Sequence, residues 1–299
     1  HLFRNPRKIL KERGHDVFII ARDKEIACYL LDSYGIEYQR GSCQRVGWGA
    51  TIELVEWFWK VFKIIGKLNI DIVISIGSPG GALASRLRGI PHLVFNDTES
   101  AKIQRFFYKP SATMIFTPQC YKFDLGKKHI RYNGYHELSY LSPKYYTPDS
   151  SVLDMLGVEH EEKYTIIRFV RWSATHDRGH SGLSTQTKIM ATQAFSKLGR
   201  VFITSESELP LELERYRIKI PPERIHDALF YATLFYGESA TMASECSMLG
   251  TPAIYLDDEG RGYTEDQEKK YGCVYNFTES ADDQLASIYK GVEILEMYD

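Results

Sequence analysis

The chain is poor in features that mark several large protein classes. No apolar stretch approaches the roughly 18 residues needed to cross a bilayer, so no transmembrane helix is expected. The five cysteines, Cys28, Cys43, Cys120, Cys246 and Cys273, are scattered and form no CxxC. That usage suits reduced thiols in a cytoplasmic protein and argues against a disulfide framework or a zinc site. Neither sign of charge dominates: a net charge of -2 leaves no basic footprint for nucleic acid. "SIGSPGGALASRL" (Ser75 to Leu87) clusters glycines after an apolar run but lacks GxGxxG, so a nicotinamide cofactor is not expected. The sequence opens without an initiator Met, and no signal peptide is expected in it. The chain opens at His1 directly before a helical pattern, and an upstream first strand is expected.

What is present is alternation. With 299 residues, 43% of them hydrophobic and 25% charged, the chain can fill one large or two medium cores. Helical patterns over Arg4–Arg13, Lys24–Tyr34 and Ile52–Leu68 are interleaved with short apolar runs at Asp16–Ala21, Asp71–Ile76, His92–Phe95 and Met114–Thr117. The second half repeats this, with runs at Tyr164–Phe169, Arg200–Thr204, Leu234–Tyr236, Ala253–Leu256 and Cys273–Phe277. Short β-branched runs spaced by helices predict parallel sheets built from βαβ units. "NGYHELSYLSPKYYTPDSS" (Asn133 to Ser151) reads as a linker. The expectation is therefore α/β: two doubly wound, Rossmann-like domains, 1–145 and 146–299, with ligand in an interdomain cleft at the carboxyl ends of the strands.

"LFYGESATMASECSMLGTPAI" (Leu234 to Ile254) carries the chemistry. A strand ending at Tyr236, then Gly237-Glu238-Ser239-Ala240-Thr241 opening a helix, aims backbone N–H groups and a helix dipole at one spot, which suits a phosphate. Small side chains let the backbone approach the anion. Glu245, in the second turn, is placed to accept hydrogen bonds from a ribose diol. On spacing alone an ordinary N-cap at Ser239 and a solvated Glu245 explain the stretch equally well.

The stretch resembles the donor-binding segment of GT-B enzymes, with the Ser-Gly…Glu-Ala…Leu-Gly-x-Pro pattern of UDP-N-acetylglucosamine 2-epimerases and a likeness to the lipid-intermediate N-acetylglucosaminyltransferases. "FRNPRKILKERGHDVFIIARD", "HLVFNDTESA", "RIHDALFYATLFYGESATMASECSMLGTPAI" and "GYHELSYL" together are most similar to a predicted glycosyltransferase family of unknown function related to those epimerases. The resemblance implies that Ser239 and the amides of Ala240 and Thr241 meet phosphate, Glu245 the ribose, His226 the uracil pocket and Gln267 the donor sugar. A helix-entry role for His226 and a surface helix start at Gln267 compete with those assignments. Two departures separate the chain from the 2-epimerases. Gly77-Ser78-Pro79 stands where they carry Gly-Asp, and "VFNDTESAK" replaces their His-x-Glu-Ala-Gly, leaving Asp97 and Glu99 as the nearby carboxylates. The transferases' glycine-rich loop and histidine would lie before residue 1 or at His1.

Asp97, Glu99 and His1 are therefore the candidates for the base. Arg168 and Arg171 in "RFVRWSATHDRGH" could neutralise a diphosphate, while a metal on His176, Asp177 and His180 is the weaker reading. No metal and no cofactor is required. The expected function is glycosyl transfer from a UDP-sugar in cell-surface polysaccharide or glycolipid assembly. A 2-epimerase-like enzyme and a non-catalytic nucleotide-sugar-binding protein are the alternatives. A lipid-linked or polysaccharide acceptor stays open, with at most peripheral membrane contact. "IELVEWFWKVFKIIGKL" (Ile52 to Leu68) is expected to pack its Val55, Phe58, Phe62 and Ile65 stripe on a sheet rather than lie on a membrane.

Overall fold

The computed structural model describes residues 1–43, 45, 49–170 and 182–298. Two compact units divide the chain: Phe3–His136, the first unit, and Glu137–Asp299 joined by His1–Leu2, the second. The division falls inside the segment expected to be a linker. That segment is structured, since Tyr135, His136, Glu137 and Leu141 within it are all buried.

The first unit runs α1 (Arg4–Glu12), β1 (Ile20–Asp23), α2 (Glu25–Ser33), β2 (Gln39–Cys43), α3 (Gly49–Leu68), β3 (Val73–Ile76), α4 (Pro79–Arg88), β4 (His92–Phe95), α5 (Lys102–Ser111), β5 (Met114–Pro118) and β6 (His129–Tyr132). Strands β3-β4-β5-β6 make a parallel four-stranded sheet, and β1 pairs with β2 apart from it. The strand expected over 16–21 begins only at Ile20. Strands β2 and β6 were not foreseen, because "QRGSC" and "HIRY" carry almost no apolar signal.

Helix α3 packs into the core as expected, except at the first residue of its stripe. Its Val61 and Ile65 meet Ala84 of α4, while Val55 is 51% exposed. Phe58, Phe62 and Ile65 of the expected stripe pack in this cluster with Ile20 of β1 and Val73 of β3, so the stripe meets strands as well as a helix and only Val55 falls outside it. Trp57 of α3 lies in a slot floored by bare backbone. A Cβ at Gly41 of β2 would come within 2.0 Å of the indole, and one at Gly80 of α4 within 2.6 Å. The indole N–H donates to Ser78 Oγ at 3.1 Å.

The second unit runs α6 (Leu138–Leu141), α7 (Ser151–Leu156), β7 (Tyr164–Phe169), α8 (Thr185–Phe195), β8 (Arg200–Ser205), α9 (Ile225–Tyr231), β9 (Leu234–Gly237), α10 (Ala240–Leu249), β10 (Ala253–Leu256), α11 (Gly262–Tyr271), β11 (Val274–Phe277) and α12 (Ala281–Met297). All five expected strands form one parallel sheet in the order β11-β10-β9-β7-β8. Every residue of β9 and β10 is buried because both faces are covered. Phe235 and Tyr255 pack on one face with Ala243 of α10, and Leu234, Tyr236, Ile254 and Leu256 on the other with Phe195 of α8. Each such side chain contributes about 1.5–3 kcal/mol by leaving water. Among the described residues no helix is long and apolar enough to cross a membrane.

Candidate functional site

The order of the second sheet selects the location. From β7 the chain lays β8 on one side and β9 on the other, so direction reverses between β7 and β9. Ligands of doubly wound sheets bind in the crevice outside the carboxyl ends of the strands at such a reversal. In register there, Arg168 pairs with Gly237. A Cβ on Gly237 would lie 2.2 Å from the Arg168 carbonyl oxygen, so only glycine lets the strands close.

Glu238 follows, 4% exposed. Its Oε2 accepts from Val170 N at 2.9 Å and its Oε1 from Leu183 N at 2.6 Å, tying together backbone at the end of β7 and at the approach to α8. Ser239 then caps α10, with extended backbone (φ -100, ψ 105) and Oγ accepting from Met242 N at 3.4 Å. The ordinary cap reading of Ser239 therefore holds, but it satisfies one amide only. Ala240 and Thr241 head the helix, where amides have no intrahelical acceptor and the dipole is positive. Thr241 is exposed.

Glu245 is not a solvated face residue; it is 5% exposed. Its Oε1 accepts from Tyr140 Oη at 2.9 Å and is 3.0 Å from His226 Nε2. Among the described residues no hydrogen bond engages its Oε2. The His226 ring is surrounded by aromatics, with centroids 4.7 Å from His1, 5.5 Å from Tyr140 and 6.4 Å from Tyr146. Tyr146 donates to Asp227 Oδ1 at 2.7 Å. Burial, and then that carboxylate, push the Tyr146 hydroxyl pKa far above its usual value. His1 thus belongs with the second unit rather than with the N-terminal domain expected to hold the base.

Gln267 of α11 is fully buried, which overturns the surface-helix alternative. Its Nε2 donates to Ser244 Oγ of α10 at 2.8 Å, and its buried Oε1 has no partner among the described residues. The Arg168 guanidinium turns toward β8, donating to Thr204 Oγ1 at 2.6 Å and to Glu206. Arg171, His176, Asp177 and His180 lie outside the described residues. Among those described, no group of three or more His, Cys, Asp or Glu is placed to hold a metal ion.

Asp97 and Glu99 lie in the first unit, just past the carboxyl end of β4, and take different partners. Asp97 Oδ2 is 2.7 Å from His136 Nδ1, and Oδ1 accepts from Thr98 Oγ1 at 2.9 Å. Burial alone would raise the Asp97 carboxyl pKa. The hydrogen bond and charge of His136, aided by Thr98, outweigh it and hold the value below the ordinary 3.8. Glu99, 8% exposed, accepts from Lys122 N at 3.2 Å.

The sequence reading missed Glu238, Tyr140 and His136. Glu238 was signalled by an acid wedged between a strand-ending glycine and a helix cap. Tyr140 and His136 sit in "GYHELSYL", whose polar composition suggested a linker.

No protein-family model matches the chain, and no curated protein sequence matches it. Solved structures do. UDP-GlcNAc 2-epimerase from Neisseria meningitidis, bound to UDP-GlcNAc, superposes with TM-score 0.71 at 13% identity, covering 99% of this chain and 90% of that one. MurG of Acinetobacter baumannii gives 0.54 at 18% identity, covering 100% and 90%. The spinosyn forosaminyltransferase SpnP gives 0.58 at 14% identity, covering 96% and 84%. The chain shares the GT-B fold with these proteins.

Proposed function

We propose that the chain binds a UDP-sugar at the β7/β9 reversal and transfers the sugar to an acceptor in cell-surface polysaccharide or glycolipid assembly. The observation that carries the reading is Glu245. A carboxylate held 5% exposed, one oxygen clasped by Tyr140 and His226, is oriented in advance for a neutral diol. In this reading the diphosphate rests on the amides of Ala240 and Thr241 beside Ser239, and Gly237 allows the backbone to come close. His226 borders the base and Gln267 the sugar. Amides and the helix dipole stabilise the leaving diphosphate, so no metal or cofactor is required. Arg168 and Arg171 are proposed to approach the diphosphate, the former after exchanging Glu206 for it.

Proton removal from the acceptor falls to Asp97, Glu99 or His1. Of these, Asp97 is held by His136 and is the weaker base for it. A site in the cytoplasm, at most peripheral to a membrane, and a lipid-linked or polysaccharide acceptor complete the reading.

Epimerisation at C2 is the second reading, favoured by the higher TM-score of the 2-epimerase structure. Against it, the turn after β3 offers Ser78 where an acid is wanted, and that hydroxyl already accepts from Gly81 N and Trp57 Nε1.

Two measurements test the proposal. By calorimetry, Glu245→Gln should weaken UDP binding by about 1–3 kcal/mol while the melt stays in place; unchanged affinity removes Glu245 from the site. Incubation with UDP-N-acetylhexosamine in D2O without acceptor should leave C2 undeuterated, with UDP released only once an acceptor is added. Deuterium at C2 would replace transfer with epimerisation.

A further inference from the structure

A second surface lies wholly within the first unit. Helix α5 presents Ile103 at 66%, Phe106 at 76% and Phe107 at 45% exposure, and α4 beside it presents Leu83 at 46% and Leu87 at 61%. Burying these apolar groups would release more free energy than any polar contact they make, and single soluble domains rarely leave such side chains adjacent. Between them lies a depression of about 990 Å³ with apolar walls that include Phe58, Leu83, Phe106 and Phe107.

The rim is cationic. Lys102, Arg105 and Lys109 from α5, Arg86 from α4, and Lys127 and Lys128 before β6 all line the depression, and no described acidic side chain does. Lys102, Arg105, Phe106 and Lys109 follow the i, i+3, i+4, i+7 spacing of a single helix face. In a chain of net charge -2, that clustering is a local field of one sign.

We infer that the α4–α5 face of the first unit docks on an anionic phospholipid bilayer, with Ile103, Phe106 and Leu87 entering the acyl boundary and Arg86, Lys102, Lys109 and Lys127 meeting lipid phosphates. Apolar groups ringed by Lys and Arg are the arrangement by which a helix lies in a membrane interface. Charge complementarity selects this occupant over a second copy of the chain, whose equivalent face would set the same cations against each other. The inference stands independently of the nucleotide-sugar reading, since it uses none of that site's residues.

The test is flotation of the whole chain with vesicles of pure phosphatidylglycerol or pure phosphatidylcholine. The chain should float with the anionic vesicles and not the neutral ones, and high salt should release it. Ile103→Ser with Phe106→Ser should lower partitioning at least about ten-fold, and Lys102→Glu with Lys109→Glu should do the same. All four side chains are exposed, so both variants should keep the wild-type melt; Lys109→Glu alone is the milder check. Failure to float, or variants that float like wild type, overturns the inference. A lipid-free dimer in sedimentation equilibrium that Phe106→Ser dissociates assigns the face to a second copy instead. UDP affinity measured on the same variants should not move, which separates this result from the fate of the nucleotide site.

Discussion

Both units contain a strand that passes through a glycine and a serine cap into a helix, yet the two junctions are built differently. In the first unit Gly77-Ser78-Pro79 joins β3 to α4; in the second, Gly237-Glu238-Ser239 joins β9 to α10. Ser78 also accepts the Trp57 indole N–H, and proline removes an amide from the first turn of α4. Gly80 in that turn is backed by Trp57 and by the backbone of Phe58. The glycines of the first junction thus seat one helix on another. At the second, Glu238 braces the flanking backbone, and Ala240 and Thr241 are left at the head of the helix. Strand order separates them further, since β3-β4-β5-β6 advances in one direction while the second sheet reverses at β7/β9. The proposed binding role therefore falls to the second junction, where the sheet order reverses and the first amides of the helix have no intrahelical acceptor.

The comparison can be broken most forcefully at its glycines. Gly237→Ala should destabilise the second unit by about 3–5 kcal/mol, because the new methyl meets main chain at 2.2 Å and neither strand can retreat. Gly77→Ala, with φ +52 and Tyr108 no nearer than 3.4 Å, should cost only about 1–2 kcal/mol of left-handed strain. Denaturant unfolding followed by hydrogen exchange in each unit measures both. Equal losses would mean that the junctions are equivalent.

Glu238→Ala sharpens the contrast on a smaller scale. It strands the amides of Val170 and Leu183, and about 2–3 kcal/mol should be lost from the second unit. Faster exchange at these two amides, with the first unit unaltered, is the expected pattern; protection at wild-type levels would show the brace to be dispensable.

The smallest effect belongs to the Asp97–His136 pair. Since the folded carboxyl titrates below the ordinary 3.8, its contribution is present above that pH and disappears as pH falls through the folded value. Asp97→Asn should therefore cost the first unit about 1–2 kcal/mol at pH 6 and progressively less below pH 3.8. A loss that is flat with pH would show that the carboxylate charge plays no part.

The second sheet was almost fully legible because β7, β9 and β10 are covered on both faces and read as short runs rich in apolar and aromatic residues, such as "YTIIRF" and "AIYL". Strands β2 and β6 were not legible, since their hydrogen bonds come from neighbours and not from any pattern of their own. The site divided the same way. Ser239 and Glu245 were marked by their spacing after β9, where an ordinary cap and a solvated residue fitted equally well, and Gln267 by resemblance alone; its burial against Ser244 follows only from the packing of α11 on α10. Tyr140 on Glu245 and His136 on Asp97 join residues far apart in sequence, and no local pattern encodes such a meeting.

The slot that holds Trp57 constrains how the chain can vary over evolutionary time. A methyl at Gly41 would meet the indole at 2.0 Å and the Ala21 carbonyl oxygen at 2.8 Å, and one at Gly80 would meet the indole at 2.6 Å and the Phe58 backbone at 3.2 Å, so the ring is the first obstacle at both sites and main chain the second. The order of change is therefore restricted: a smaller ring would ease growth at Gly80, whereas Gly41 stays confined by main chain whatever stands at position 57. Descendants of this sequence should keep Gly41 throughout and replace Gly80 only after the tryptophan is lost.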